Sequence, residues 1–452
     1  MLCIKNGTLV APQGRWRANI FIENGKIVPE SCADPSAECY DASGCLIFPG
    51  FIDAHTHLEM DTGTTVTADD FPSGTGAALI GGTTVILDFA TQERGGTLSD
   101  ALRIWHSRAD GRCACDYGFH MAVTEWNDAV RAELPIMAEQ GVTSFKAYMA
   151  YDNLRLNDDE LRELFAAARG IGVVGVHCEL GDMVNRRVSE LLDEGHIEPL
   201  WHPRSRPNEV EALAVRRCLE LAREANGNAW VVHLSTREGL DEIASARALG
   251  QNILCETCPQ YLTLTDDVYD APDFEGAKFV CSPPIRSETD REGLWKGIYE
   301  NNIDIISTDH CSFRFRGQKE LGKDSFADIP NGLPGIEHRP ALLWTYGVAA
   351  GRITAERFVD LLSAEPARRF GLSGKKGNLE PGADADIVIW DPDAEWTLTA
   401  DTIHMAADYS PWEGCAMKGR ARAVFLRGEL SAENGRIIRP NDGQYLFRGP
   451  SL

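Results

Sequence analysis

Hydrophobic and polar residues follow three successive patterns along the chain. The first 45 residues favour short β-strands joined by hairpin turns, with Asn24-Gly25 as a clear turn dipeptide. From residue 52 onward, short apolar runs rich in β-branched residues alternate with longer segments whose apolar positions recur at helical spacing. After about residue 371 the strand-and-turn pattern returns, for example in residues 386–390.

The middle pattern predicts eight buried strands separated by helices. Strands that alternate regularly with helices indicate an α/β fold of the (β/α)8 TIM-barrel class. The two longest gaps, before Trp230 and before Ile303, are expected to be insertions at the mouth of the barrel. The predicted strands cover residues 52–57, 84–89, 117–123, 144–148, 172–177, 230–233, 253–256 and 303–307.

The two ends of the chain share one strand-rich pattern, and the middle has another. We therefore predict a small β-sandwich domain built from both termini, with the barrel inserted between its two parts. The expected limits are residues 1–48 for the first part of the sandwich, 49–371 for the barrel, and 372–452 for the second part with a C-terminal tail.

Composition and charge narrow the classes of function. The chain has 452 residues and a formal net charge of −24, which repels phosphate backbones and anionic lipid, so no nucleic acid and no membrane is expected as a partner. No apolar run approaches the ~20 residues of a membrane span, and the first seven residues lack a signal-peptide pattern. Thirteen scattered cysteines, an odd number, predict a reduced, cytoplasmic protein.

Polar side chains that suit metal binding stand at the ends of five predicted strands. His55 and His57 are two residues apart, so on a strand both imidazoles face the same side. Because the carboxyl ends of barrel strands meet at one mouth, we expect these side chains to converge there. The candidate ligands are His55, His57, Lys146, His177, His233 and Asp309. We interpret the other histidines as structural or surface residues: His106, His120, His196, His202, His310, His338 and His404.

Lys146 is the unusual member of this set, because a protonated ammonium beside two cations would be repelled. A neutral lysine amine reacts with carbon dioxide to form an anionic carbamate, whose two oxygens suit a bridge between metal ions ~3.5–4 Å apart. The predicted centre is therefore binuclear. His55 and His57 hold one metal, His177 and His233 hold the other, N6-carboxylated Lys146 bridges them, and Asp309 adds a carboxylate.

Several motifs in this order resemble the dihydropyrimidinase/hydantoinase family of cyclic amidohydrolases, within the amidohydrolase superfamily. They include Asp-Ala-His-Thr-His-Leu at 53–58, Thr-Val-Thr-Ala-Asp-Asp-Phe at 65–71, Ser-Phe-Lys-Ala-Tyr-Met-Ala-Tyr at 144–151 and Pro-Asn-Gly-Leu-Pro-Gly at 330–335.

The resemblance implies an enzyme that opens the cyclic amide ring of 5-substituted hydantoins or 5,6-dihydropyrimidines to N-carbamoyl amino acids. It implies two divalent ions per chain, zinc or else manganese, and a homotetramer. The position of Asp309 takes up and delivers a proton, and that of Tyr151 donates a hydrogen bond to the oxyanion. The backbone at Ser282 and Asn331 binds the polar edge of the ring.

Two alternatives stay open at this point. Allantoinases share the metal ligands of this family but usually lack the 65–71 motif, and non-catalytic scaffold paralogues share its fold but lose ligands. The loop after His57 departs from the family, because Asp61 and Thr62 replace a common proline and phenylalanine. This more polar loop predicts a preference for small or polar ring substituents.

Overall fold

The computed structural model describes residues 1–451. Its strands are β1 (Leu2–Lys5), β2 (Thr8–Ala11), β3 (Gly14–Arg17), β4 (Ile20–Glu23), β5 (Lys26–Val28), β6 (Glu38–Asp41), β7 (Leu46–Pro49), β8 (Phe51–Thr56), β9 (Thr83–Thr91), β10 (Asp116–Ala122), β11 (Ser144–Tyr148), β12 (Val173–His177), β13 (Ala229–Val231), β14 (Ile253–Thr257), β15 (Ile305–Ile306), β16 (Ile387–Thr397), β17 (Ala416–Leu426), β18 (Glu429–Glu433) and β19 (Arg436–Ile437).

The α-helices are α1 (Phe71–Ile80), α2 (Leu98–Ala109), α3 (Asp128–Glu139), α4 (Asp158–Ala168), α5 (Gly181–Asp193), α6 (Trp201–Ser205), α7 (Asn208–Glu224), α8 (Arg237–Ala248), α9 (Pro259–Thr263), α10 (Glu288–Tyr299), α11 (Arg339–Leu343), α12 (Ala355–Val359) and α13 (Glu365–Arg369). No helix within residues 1–451 combines the length and the apolar character needed to cross a bilayer.

Strands β8 to β15 form an eight-stranded parallel sheet in sequence order. A parallel bridge between Thr56 and His310 brings the two edges of this sheet together. The predicted (β/α)8 barrel is confirmed, and each predicted strand overlaps an observed one. The gap before β13 holds α5 and α6 in addition to α7, and the gap before β15 holds α9 in addition to α10.

The interior of the barrel is filled by side chains, with Trp230 at its centre. The Trp230 indole is fully buried and stacks on Phe89, with ring centroids 6.2 Å apart. Gly175, on the neighbouring strand β12, leaves the space for it, because a Cβ at that position would lie 2.6 Å from the indole. The barrel is therefore a packed core, and ligands can enter only at its mouth.

The strands outside the barrel form two further sheets. One has the order β5-β4-β1-β6, and the other, β19-β18-β17-β16-β7-β2-β3, joins strands from both ends of the chain. Apolar side chains from the two termini, among them Ile4, Ile47 and Ile387, share one buried cluster. The β-sandwich built from both termini is thus confirmed as part of the fold class, while the numerical domain limits stay a prediction.

Side chains close the seam between the first and last barrel strands, because β15 offers only two residues for pairing. Asp53 accepts hydrogen bonds from the Thr308 backbone N–H at 3.0 Å and from its hydroxyl at 2.7 Å. The fully buried Arg339 donates to the carbonyl oxygens of Ile52 and Ile306, at 2.7 and 2.9 Å. One guanidinium thus holds both strands of the seam.

Replacing Arg339 by Met should destabilise the protein strongly. The substitution leaves buried carbonyl oxygens without donors and Asp53 without its nearest cation, at 3.8 Å. The expected loss in the free energy of unfolding is about 3–5 kcal/mol, typical of a broken buried ion pair. Denaturant unfolding of variant and wild type measures it. Arg216→Met, which removes a half-exposed arginine on α7, is the control and should leave the unfolding midpoint unchanged. Equal midpoints for both variants would contradict the role of the seam.

Candidate metal centre

The six candidate ligands converge at the carboxyl ends of the barrel strands. His55, Lys146 and His177 lie within β8, β11 and β12, whereas His57, His233 and Asp309 follow the ends of β8, β13 and β15. The ring centroids of His55 and His233 are 5.5 Å apart, and those of His177 and His233 are 4.7 Å apart. Residues separated by more than 250 positions in sequence thus form one cluster, as the strand-end pattern predicts.

His55, His57 and Asp309 form one half of the cluster. The Nε2 atoms of both imidazoles lie 3.2 Å from Oδ1 of Asp309. One ligand atom from each of the three residues lies within 4.8 Å of the others, a spacing that suits a single metal ion. Burial lowers the pKa of His55 well below its usual value, so its ring is neutral and offers a lone pair.

His177 and His233 form the other half. Nδ1 of His177 faces Nε2 of His233 at 3.0 Å, which brings two imidazole nitrogens to one point. Nε2 of His177 contacts the Glu179 carboxylate at 2.7 Å, so Nδ1 is the nitrogen left for a ligand. Burial lowers the pKa of both histidines, and the neutral rings carry the lone pairs that a metal requires.

Lys146 lies buried between these two halves. Its Nζ atom is 5.2 Å from the centre of the Phe89 ring, and that ring in turn packs against both His55 and His57. No carboxylate of the described residues forms an ion pair with it, since the salt bridges of the structure involve other lysines. Burial lowers the pKa of Lys146 to about 8, so about a tenth of the amine is neutral at pH 7, far more than for an exposed lysine.

The backbone at three site residues adopts a conformation that L-amino acids rarely occupy. The φ angles of Tyr151, His233 and Asp309 are 66°, 38° and 52°. Such residues persist where the surrounding structure holds them, and they concentrate at functional sites. At each of these positions the left-handed turn follows a barrel strand and aims the side chain into the cluster.

Glu256 is a site residue that the sequence reasoning missed. Its Oε1 atom contacts Nδ1 of His55 at 2.7 Å and accepts a hydrogen bond from the His233 backbone N–H at 3.0 Å. One buried carboxylate therefore orients residues from both halves of the cluster. Its position at a strand end could have identified it, because Glu256 is the last residue of the predicted seventh strand, just as His177 is the last residue of the predicted fifth.

Glu179 and Arg206 form a second buried pair behind His177. Nη1 of Arg206 lies 2.7 Å from Glu179 Oε2, and the guanidinium also lies over the Tyr151 ring at 5.8 Å. Burial by itself would raise the pKa of Glu179. The positive charge of Arg206 and the hydrogen bond to His177 outweigh this effect and lower the pKa. Burial raises the pKa of Tyr151 to about 12, so its hydroxyl stays protonated and can donate a hydrogen bond.

Ser282 and Asn331 carry polar groups without protein partners. Within residues 1–451 the backbone N–H groups of both residues form no hydrogen bond, and Asn331 Oδ1 is buried without a partner. Buried polar groups are nearly always hydrogen-bonded, so unpaired ones on two neighbouring loops indicate a ligand.

Two other features interpreted from the sequence are also resolved. His310 contacts Asp69 at 3.1 Å and accepts a hydrogen bond from the Gly335 N–H, so it is structural, as interpreted. Asp61 and Thr62 lie exposed in a hairpin over residues 61–66, next to the mouth of the barrel. The Asp61 carboxylate accepts from the Gly63 N–H at 2.8 Å and thereby stabilises the turn.

The residues present fit two divalent metal ions. Nε2 of His55, the nitrogen that faces Asp309, is buried and makes no hydrogen bond among residues 1–451. Four imidazoles, a carboxylate and a deprotonatable amine form a donor set that suits zinc or manganese. The carboxylates of Glu256 and Glu179 supply the outer contacts that metal-bound histidines usually have.

Comparisons with known proteins agree on one family. A sequence model described as the amidohydrolase family matches residues 46–431. The chain is 44% identical over 451 residues to the D-hydantoinase of Geobacillus stearothermophilus, with 98% of this chain and 96% of that protein covered.

Solved structures extend this similarity to the whole fold. The crystal structure of dihydropyrimidinase from Brevibacillus agri NCHU1002 superposes with a TM-score of 0.98 at 40% identity, covering 100% of this chain and 99% of the other. The L-hydantoinase (dihydropyrimidinase) of Arthrobacter aurescens superposes with a TM-score of 0.90 at 28% identity, covering 99% of each chain. Proteins named for opposite stereochemistry share this fold, so the fold alone does not set the chirality of the substrate.

Removing the Glu256 carboxylate should weaken metal binding. Glu256→Leu removes the contact that orients the His55 ring and leaves the His233 N–H without its acceptor, and we expect metal affinity to fall by at least about tenfold. Glu256→Gln keeps one acceptor oxygen, so its metal affinity should lie between that of the Glu256→Leu variant and that of the wild type. Equilibrium dialysis against a chelator measures retained metal, with Glu242→Gln on the surface of α8 as the control. A Leu variant with wild-type metal retention would refute the orienting role.

Proposed function

Because this chain belongs to the amidohydrolase family, we propose its function from that membership and from the cluster at the barrel mouth. It is a cyclic amide hydrolase that opens the ring of hydantoins or dihydropyrimidines to N-carbamoyl amino acids. The observation that carries this conclusion is 44% identity to a D-hydantoinase across 98% of the chain. The six filled ligand positions disfavour a non-catalytic scaffold. The 65–71 motif and the identity to a D-hydantoinase disfavour an allantoinase-type ureide hydrolase.

We propose that two divalent ions, zinc in preference to manganese, bind at the centre. His55, His57 and Asp309 would hold one ion, and His177 and His233 the other. N6-carboxylated Lys146 would join the two. Once bound, such ions supply Lewis acidity and a water molecule of lowered pKa. The support from this chain is the 3.2 Å and 3.0 Å convergence of donor atoms in each half.

The chain's own side chains would position the ring and move protons. Asp309, whose carboxylate is 12% exposed at the mouth, would take up a proton and deliver it to the ring nitrogen that leaves. The Tyr151 hydroxyl would donate a hydrogen bond to the oxygen on which negative charge develops. The backbone groups of Ser282 and Asn331 would pair with the polar edge of the amide or imide. The backbone N–H groups of both residues form no hydrogen bond within residues 1–451, which supports this role.

We further propose a homotetramer in a reducing, cytoplasmic compartment. The family resemblance implies the tetramer, and exposed apolar side chains such as Ile197 and Ile438 would give partner copies surface to cover. All 13 cysteines are free thiols, which fits a reducing compartment.

A substrate panel tests the reaction. The metal-loaded protein is assayed for ring opening of hydantoin, 5-phenylhydantoin, dihydrouracil and allantoin. Turnover of hydantoin or dihydrouracil with little turnover of allantoin is the expected result. Turnover of allantoin alone, or of none of the four by a protein with two bound metal ions per chain, would contradict the function.

Lys146→Ala should lose both metal and activity. Short carboxylic acids such as acetate should restore part of each, because they supply the two oxygens of the missing carbamate. Lys296→Ala, at an exposed position on α10, is the matched control and should behave as wild type. Because burial lowers the pKa of Lys146 to about 8, carbamylation of metal-free enzyme at a fixed concentration of dissolved carbon dioxide should accelerate between about pH 6 and pH 8. An unmodified amine in a fully metallated protein would refute this proposal.

The 61–66 hairpin predicts a preference among ring substituents. The exposed Asp61 carboxylate is costly to desolvate against an apolar ring, so small or polar substituents should be turned over better than phenyl. Asp61→Pro combined with Thr62→Phe should shift kcat/KM toward 5-phenylhydantoin, within the about 10–200-fold that apolar contacts deliver. A wild-type enzyme that already prefers phenylhydantoin over dihydrouracil by a wide margin would contradict this prediction.

A further inference from the structure

Lys319 is a fully buried lysine whose ammonium contacts backbone carbonyls in place of a carboxylate. Nζ donates to the carbonyl oxygens of Val280 at 2.7 Å, Pro330 at 2.6 Å and Gly332 at 2.8 Å. The three N–H donors of the ammonium are therefore matched by three acceptors in one fixed arrangement. Burying an ammonium costs several kcal/mol, and burial accordingly lowers the pKa of Lys319 to about 7. The three carbonyl contacts stabilise its protonated form.

The three carbonyls belong to the two loops that carry the unpaired groups of Ser282 and Asn331. Val280 precedes Ser282 by two residues, and Pro330 and Gly332 stand on either side of Asn331. The Gly332 N–H donates to the Val280 carbonyl at 3.0 Å, which is a further link between the loops. Lys319 is therefore bonded to both of these segments, at one residue on the first and at two on the second.

Gly332 shows how tightly this junction is packed. Its φ angle is +151°, and a Cβ at this position would lie 2.3 Å from the Cys311 carbonyl oxygen. The loop can approach its neighbours only through a residue without a side chain. The position of this loop therefore depends on close backbone contacts, and the hydrogen bonds of Lys319 to Pro330 and Gly332 are part of them.

We propose that Lys319 is a positioning residue for ring recognition. Its ammonium holds loops 280–282 and 330–332 at the separation at which the backbone of Ser282 and Asn331 reaches both ends of the polar edge of a cyclic amide or imide. This inference rests on the proposed function, because it requires those two loops to bind the ring. It assigns to Lys319 no contact with the substrate itself.

The preceding residue supplies a matched control. The Gln318 amide donates to the Thr65 hydroxyl at 2.8 Å and to the Val66 carbonyl at 2.7 Å, so it anchors the 61–66 hairpin and not the ring loops. Gln318 and Lys319 thus lie on one segment but fasten different parts of the mouth. For unsubstituted hydantoin, which carries no group for the hairpin to contact, only the Lys319 change should matter.

The test compares metal-loaded wild type, Lys319→Met and Gln318→Met with unsubstituted hydantoin. Lys319→Met should raise KM by about tenfold or more, because two hydrogen bonds to the ring are misplaced, with kcat changed less than about threefold, as expected for loss of uniform binding. Gln318→Met should leave KM within about twofold of wild type. Calorimetric affinity for uracil, a ring imide that is not a substrate, should fall by the same factor as KM rises.

Lys319→Gln keeps two N–H donors. Its KM should therefore lie between that of Lys319→Met and that of the wild type. Lys319→Met with wild-type KM and uracil affinity would overturn the inference. So would failure of both Lys319 variants to fold, since the lysine would then act in folding. A kcat loss with unchanged KM would also overturn it. A wild-type enzyme that opens no cyclic amide would refute the proposed function, a result distinguishable from all of these.

Discussion

The metal centre depends on closure of the barrel between β8 and β15. His55 and His57 belong to the first strand and Asp309 follows the last, so their 3.2 Å contacts exist only when this seam is closed. The backbone ladder at the seam is short, and the buried side chains of Asp53 and Arg339 supply the missing hydrogen bonds. The geometry of the centre therefore depends on the contacts that close the seam.

Buried carboxylates around the centre decide which atoms the histidines present. Glu256 holds Nδ1 of His55 and leaves Nε2 toward Asp309, whereas Glu179 holds Nε2 of His177 and leaves Nδ1 toward His233. His55 therefore turns Nε2 and His177 turns Nδ1 toward the centre. The spacing of the residues in the sequence does not predict this difference. Arg206 compensates the buried Glu179 charge, which keeps that carboxylate ionised and able to orient His177.

The opposite end of the barrel is secured by a separate ionic cluster. Buried Lys376 contacts Asp116 of the barrel at 2.6 Å and Asp386, just before β16, at 2.7 Å. Residues of the C-terminal tail pair with β10, where the Leu446 N–H donates to the Tyr117 carbonyl at 2.8 Å. The β-sandwich and tail therefore brace the bottom of the barrel, while the loops at the mouth stay free to set substrate selectivity.

Most of the architecture was readable from sequence, because apolar periodicity alone reports which segments are buried strands. The strand-end rule also located His55, His57, Lys146, His177, His233 and Asp309, since parallel strands bring their carboxyl ends to one place. The same rule covered Glu256, and it was missed only because a lone glutamate carries no metal-binding spacing. Their roles as ligands remain proposals, whereas their convergence is observed.

Arg339 and Lys319 could not be predicted in this way. Their partners are mostly backbone carbonyls, which every residue has, so no pattern of side chains marks them. Arg339 donates to Ile52, 287 positions away in sequence, and Lys319 joins two loops that only the folded barrel brings together. The cost of burying each charge is met by acceptors that exist as a set only in three dimensions, and for that reason tertiary structure alone decided where these cations lie.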